Sequence, residues 1–355
     1  MKRVGYLMER VADMENLREA FFKAQRGKSG RREVFAYRRN LESNLFSLNR
    51  KLMEGNVEVG NYHLFKVYDP KERTVCAAAF EERVLHHALM NVCAPYFERH
   101  FVSSTYANRK DKGVYKALEQ AHAAAGKYKY VAKLDVRKYF DSISHVVLKQ
   151  LLERLFKDRK LLEIMAAIID SYMVTEGRGV PIGNLTSQYF ANYYLSGLDH
   201  YAKERLKTSV YVRYMDDILL FGDDVVKLRK QVESVVTYAQ EQLLLEMKPP
   251  QISQTTECTA FLGYRLVGHR IALTTRSKRR FEKKYAFAEK QLAEGIWSEK
   301  MYQAHILPLF AFVKHGYTKR YRKRVIEKVT VVGIQPRESG WQLEQQCLEL
   351  PCRES

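Results

Sequence analysis

The chain has 355 residues, enough for one large domain of several lobes or for two ordinary domains, and well above the size at which a core needs staples. Sixty Lys and Arg against forty-one Asp and Glu leave a net charge of +19, which draws polyanions by counterion release and puts nucleic acid first among partners. Five scattered cysteines with no CxxC pair argue against a disulfide framework or a zinc knuckle, and neither a signal peptide nor a run of eighteen apolar residues is present, so a reduced cytoplasmic protein with no membrane partner is expected.

In chain order, residues 13 to 25 read as a short helix, broken by the basic, glycine-containing stretch from Arg26 to Arg32. A second helix carries Leu41, Leu45, Leu48 and Leu52 on one face until Gly55 stops it. Tyr62 to Val67 and Thr74 to Ala78 read as a hairpin around Asp69-Pro70, and a helix follows from about Glu81 to Val92. The alternation then continues with a strand over 129–136, helices near 145–156 and 160–173, a helix over 186–206, two short strands within 210–222, a helix over 224–245 and a strand over 260–266. This pattern predicts an α+β fold, a mixed sheet with helices on one side. After Leu273 the stretch RSKRRFEKKY opens a basic helical lobe that runs to about Lys328 and includes KRYRKR, and the last twenty-five residues read as a tail.

The chemistry concentrates in VYVRYMDDILLFGDD, where Asp216 and Asp217 sit between two apolar β-type runs, the pattern of a hairpin with acids at its tip. Adjacent carboxylates in apolar strands are costly unless a cation compensates them. Some eighty residues earlier, KYVAKLDVRKYFDSI offers another apolar strand ending in Asp135. If the two segments share a sheet, three carboxylates converge and suit two magnesium ions, or manganese, ~3.5 to 4 Å apart for in-line phosphoryl transfer. Asp223 and Asp224 follow too closely to belong to that cluster and are expected to cap the next helix.

YMDD, LDVRKYFDSI, PIGNLTSQYFANYYL and FLGYRL stand in the order found in reverse transcriptases, and the chain resembles that family from about Tyr62 onward. The resemblance implies a right-hand polymerase fold: an N-terminal helical extension (1–60), fingers (61–128, with part of 145–185), palm (129–267), helical thumb (268–330) and tail (331–355). It also implies partners, namely a template RNA, a primer or cDNA duplex, and dNTPs. Asp135, Asp216, Asp217 and the backbone of Val136 would hold the metals, and Lys248, before Pro249-Pro250, would act as a general acid near the pyrophosphate. Phe140, five residues after Asp135, would lie beneath the incoming sugar and reject a 2′-hydroxyl by shape, the bland alternative being that Tyr139 or Phe140 is plain core. Arg73, Arg109 and Lys71 would meet the triphosphate, with Ile182, Gly183 and Gln188 lining the nucleotide site. Phe261, Leu262, Gly263 and Tyr264 would form the primer grip, and Arg276, Lys278, Arg279, Arg280 and Lys283, interleaved with Phe281 and Tyr285, would lie along the duplex.

Within the family, the IGxxxSQ pattern resembles the enzymes of diversity-generating retroelements, which copy a template-repeat RNA and misread its adenines. Such enzymes work with a small, basic, barrel-forming oligomeric protein, for which the helices before Tyr62 are a candidate docking site. An antiphage-defence, retron-like or group II intron-like enzyme would share every catalytic residue, and an inactive RNA-binding scaffold would instead show decayed acids.

Overall fold

The computed structural model describes residues 3–68 and 72–331. Its elements begin with α1 (Met8–Ala12), α2 (Met14–Gln25), α3 (Arg32–Arg39), α4 (Leu41–Glu54), the hairpin β1 (Tyr62–Tyr68) and β2 (Glu72–Ala78), α5 (Phe80–His100) and α6 (Val114–Lys127). The middle of the chain forms β3 (Tyr130–Asp135), α7 (Tyr139–Ser142), α8 (His145–Leu155), α9 (Arg159–Asp170), α10 (Leu185–Tyr194), α11 (Ser196–His200), a π-helical turn (Tyr201–Arg205), β4 (Val210–Tyr214), β5 (Asp217–Gly222) and α12 (Val225–Leu243). The last described part forms β6 (Gln251–Gln254), β7 (Thr259–Phe261), β8 (Tyr264–Val267), β9 (Arg270–Leu273), α13 (Thr275–Ala293), α14 (Glu299–Lys314) and α15 (Lys319–Val331). The fold is of the α+β class expected from the alternation of patterns.

The chain divides into two compact units. One comprises the described residues up to Arg109 together with Leu134–Thr208 and Lys230–Pro250. In it, α2 starts where Asp13 Oδ1 accepts the N–H groups of Glu15 and Asn16 at 3.0 and 3.1 Å, and α4 ends at Gly55 with φ 76°, as its sequence required. Leu45, Leu48 and Leu52 are buried, so their stripe is core. The long helix α5 runs past Val92 through Pro95, because burial of Leu89, Cys93 and Phe97 along its length outweighs one lost backbone hydrogen bond. Phe97 is fully buried, its ring 5.5 Å from Phe156 and 5.2 Å from Tyr193.

The other unit comprises Lys110–Lys133, Ser209–Arg229 and the described residues from Gln251. Its four-stranded sheet has the order β4-β5-β3-β6, with β4 antiparallel to β5 and β3 antiparallel to β6. A second sheet, β7-β8-β9, is antiparallel throughout. Its first two strands replace the single strand expected over 260–266, since Leu262 (φ 50°) and Gly263 (φ 88°) both adopt positive φ and reverse the chain in a two-residue turn of the I′ pattern. The expected helix over 186–206 is broken at Leu195 and ends in the π turn. The tail from residue 332 and the turn residues Asp69, Pro70 and Lys71 lie outside the described residues.

Two truncations separate core from surface. Phe97→Ala is expected to cost about 3 to 5 kcal/mol in denaturant unfolding, whereas Phe46→Ala, at a side chain 65% exposed, should stay within about 0.5 kcal/mol.

Candidate active site

The pairing of Tyr214 with Asp217 leaves Met215 and Asp216 as a two-residue turn between β4 and β5. Met215 has φ 55°, a conformation an unbranched side chain adopts only when its surroundings hold it there. The guanidinium of Arg213, fully buried in β4, donates to the Met215 carbonyl at 2.9 Å. Four buried residues of β5, Ile218 to Phe221, fix the strand behind the turn, so the acids stand on a rigid support.

In the same sheet β5 is flanked by β3, the strand that closes on Asp135. Lys133, two residues earlier and thus on the same strand face as Asp135, places its Nζ 3.6 Å from Asp217 Oδ1 and donates to the Ala260 carbonyl at 2.6 Å. Asp135 has its own cation: Lys248 Nζ lies 2.6 Å from Asp135 Oδ1, and the Lys248 N–H donates to the Asp135 carbonyl at 2.9 Å. Val136 is buried and bridges Met247 in antiparallel fashion. Among the described residues no three His, Cys, Asp or Glu side chains lie close enough together to hold a metal ion as they stand. Asp135 and Asp217 are about a third and a fifth exposed and each faces a lysine, and carboxylates are donors of the kind hard divalent ions take.

The sequence left Tyr139 and Phe140 as alternatives, and burial separates them. Tyr139 is core, its hydroxyl donating to the Ala191 carbonyl, while Phe140 remains partly exposed. The Val180 N–H donates to the Phe140 carbonyl at 2.9 Å and the Gly179 N–H to the Ile143 carbonyl at 2.9 Å, lacing the segment before Pro181 to the segment after Asp135. His145, which sequence reasoning missed, secures this loop with Nε2 2.7 Å from the Gly179 carbonyl and Nδ1 3.1 Å from Asp170 Oδ1. Beyond Pro181 the Ile182 carbonyl accepts the N–H of Cys76 in β2 at 2.8 Å. Gly183 has φ 113°, and a Cβ there would lie 2.9 Å from Val75 Cγ1, so only glycine fits. Burial pushes the Cys76 thiol up, leaving it a small apolar support rather than a nucleophile. Ile182 thus lies against the strand that carries the exposed Arg73, and Gln188 is partly buried on the first turn of α10.

Arg109 has other work. Its Nε meets Glu98 Oε2 at 2.9 Å, and its Nη1 reaches the carbonyls of Val102 and Thr105 and the Thr105 hydroxyl, in a side chain 10% exposed. It braces the turn after α5 through Nε and Nη1, a role beside the expected contact with the triphosphate. Lys71 lies outside the described residues.

At the expected primer grip, Phe261 and Tyr264 are buried and the turn itself is Leu262-Gly263. The Gly263 carbonyl accepts Ser277 Oγ at 2.7 Å and the Thr274 N–H at 3.1 Å, which anchors the turn to the start of α13. Along α13, Arg276, Arg279, Arg280 and Lys283 are exposed at helical spacing on one face, while Lys278 lies over the Tyr321 ring at 5.4 Å. Phe281 and Tyr285, read in the sequence as rings interleaved with these cations, are buried and stack in the helical core, so the exposed face of α13 is cationic without them. Asp224 caps α12 as expected, its Oδ1 accepting the Val226 N–H at 2.8 Å, and Asp223 accepts the Lys129 N–H.

The hairpin that carries Asp216 and Asp217 has Lys133 against Asp217, the strand end at Asp135 has Lys248 against it, and basic residues line the exposed face of α13. The sequence profile described as reverse transcriptase (RNA-dependent DNA polymerase) matches residues 69–266, more than half of the chain. The chain belongs to the reverse transcriptase family, the RNA-directed DNA polymerases, whose members use divalent metal ions. It is 24% identical over 257 residues to protein YkfC of Escherichia coli K12, covering 58% of this chain and 67% of YkfC. It is 22% identical over 149 residues to the group II intron-encoded protein LtrA of Lactococcus lactis, covering 40% of this chain and 25% of LtrA. A telomerase structure from Candida albicans, in complex with a fragment of telomeric RNA, matches with TM-score 0.46 and 12% identity over 78% of this chain and 60% of its own. No described helix is long and apolar enough to cross a membrane.

Gly183→Ala is expected to destabilise the protein by about 1 to 3 kcal/mol, since its φ and the Val75 contact both oppose a Cβ. Thermal unfolding with the wild type alongside measures it.

Proposed function

We propose that this chain copies an RNA template into DNA at a site made of Asp135, Asp216 and Asp217, and that it does so for a diversity-generating retroelement. The observation that carries the site is the sheet order, in which the strand ending in Asp135 flanks the strand beginning with Asp217, with Lys133 against Asp217. Asp135, Asp216, Asp217 and the Val136 carbonyl would hold divalent ions, magnesium first and manganese second. Bound there, such ions neutralise triphosphate charge and ease deprotonation of the primer 3′-hydroxyl.

The chain's own residues supply the rest. Lys248, held to Asp135 through backbone and side chain, would give a proton to the departing pyrophosphate. Phe140 presents a ring held by the Val180 pairing and rejects a ribose by shape. Arg73 offers an exposed guanidinium to the triphosphate. Leu262 and Gly263 form a turn that steadies the primer end, and the exposed cations of α13 follow the duplex backbone.

The retroelement assignment rests on PIGNLTSQ, and the pairing of Ile182 with β2 supports a role for Ile182 and Arg73 in selectivity. A basic oligomeric accessory protein and the flank of the template RNA are the partners of this reading, with the helices α1 to α4 as the candidate surface. The similarity to LtrA keeps a group II intron-like enzyme as the second reading.

Purified protein with magnesium, a primed RNA template and dNTPs should incorporate nucleotides, and Asp216→Asn should lower the rate by ~10³-fold or more, the scale of charge stabilisation by bound metal. Normal incorporation by the variant would remove the site assignment. Phe140→Ala should narrow the preference for dNTPs over rNTPs by ~10- to 200-fold. Sequencing of the cDNA should show errors concentrated opposite template adenines, reduced in Ile182→Asn or Arg73→Ala; errors spread evenly over all four bases favour the intron-like reading.

A further inference from the structure

We infer that Arg213 is a positioning residue for the catalytic turn, holding Met215 in its left-handed conformation so that Asp216 and Asp217 keep their aim. The inference deepens the proposed polymerase reading and rests on it. Arg213 is the largest fully buried side chain described, and it lies three residues before Asp216 on the strand that leads into the turn. Burying a guanidinium is costly, and a hydrophobic residue at this strand position would fill the space at lower cost. Among its contacts the arginine places a charge-assisted donor 2.9 Å from the Met215 carbonyl.

That carbonyl belongs to the residue whose backbone opposes the turn. Met215 carries a Cβ at φ 55°, and the pairing of Tyr214 with Asp217 leaves only Met215 and Asp216 to reverse the chain. A turn with this strain relaxes unless something fixes the peptide that follows it. The buried guanidinium fixes that peptide, the one joining Met215 to Asp216. Relaxation would rotate the peptide and swing both carboxylates, so the rate of incorporation depends on the brace while the nucleotide contacts, made by other residues, do not.

Glycine at 215 removes the strain that the brace opposes, which makes a double-mutant cycle decisive. Arg213→Lys keeps the charge and loses the planar fork. In single-nucleotide incorporation on a primed RNA template, Arg213→Lys is expected to lower kcat about tenfold or more, with KM for the dNTP within twofold of wild type. In the Met215→Gly background the same substitution should cost less than about threefold. Equal losses in both backgrounds, or a raised KM with kcat unchanged, would overturn the inference and leave Arg213 as ordinary core. Should Arg213→Lys fail to fold, Arg213→Gln, which retains an N–H donor without the charge, is read the same way. If neither folds and Met215→Gly restores neither, the inference is likewise overturned. The same cycle read in thermal midpoints tests the brace independently of activity, so an inactive wild type would refute the polymerase reading while the coupling between Arg213 and Met215 still stands or fails by itself.

Discussion

Negative charge gathered at the ends of apolar strands governs this protein. Asp135 closes β3, Asp216 and Asp217 sit at the turn between β4 and β5, and β5 behind them is buried from Ile218 to Phe221. Carboxylates so placed lose part of their hydration and gain little from nearby peptide dipoles, so they require cations. The chain supplies two lysines for the purpose, Lys248 on Asp135 and Lys133 on Asp217. Both side chains are partly exposed, which limits what each pair adds to stability and leaves the carboxylates accessible to a divalent ion.

Backbone conformation serves the same end. Lys138 after Asp135, Met215 before Asp216, and Leu262 in the β7-β8 turn all have positive φ without being glycine. Each lies at the turn of one of the motifs that carry the family resemblance. Regular strands would carry these segments past the point where they must turn, and the left-handed residues stop them there at some cost in stability. The surroundings offset that cost: Arg213 holds the Met215 carbonyl, and Ser277 and Thr274 hold the Gly263 carbonyl.

The loop from Gly179 to Gly183 is built on a related principle. It has no regular structure of its own, yet its backbone is spoken for at Gly179, Val180 and Ile182 by partners on two other segments. His145 and Gly183 make those pairings possible, one by filling hydrogen bonds in the interior and the other by leaving out a Cβ. The backbone of Phe140 and Ile182 is therefore held in place by pairing with other segments.

Much was legible from the sequence because it depends on local pattern. Alternating apolar residues around YMDD required a hairpin with acids at its tip, the leucine stripe and Gly55 defined α4 and its end, and Asp224 had to cap α12. The candidate acids, Phe140 and Lys248 were singled out for the same reason: their neighbours in the chain carry the motif. Tertiary structure decided the rest. Arg109 looked like any exposed finger cation until Glu98 and the turn after α5 claimed its donors, and Phe281 and Tyr285 looked like part of a binding face until α13 turned them inward. Arg213 and Lys133 stand inside the quoted segments and His145 just after one, yet the pattern gave no sign of their partners, which the turn at Met215 and the packing of other segments supply. Leu262 hid a turn that asparagine or glycine would have announced, since only the strands on either side and the anchored Gly263 carbonyl force a leucine into that conformation.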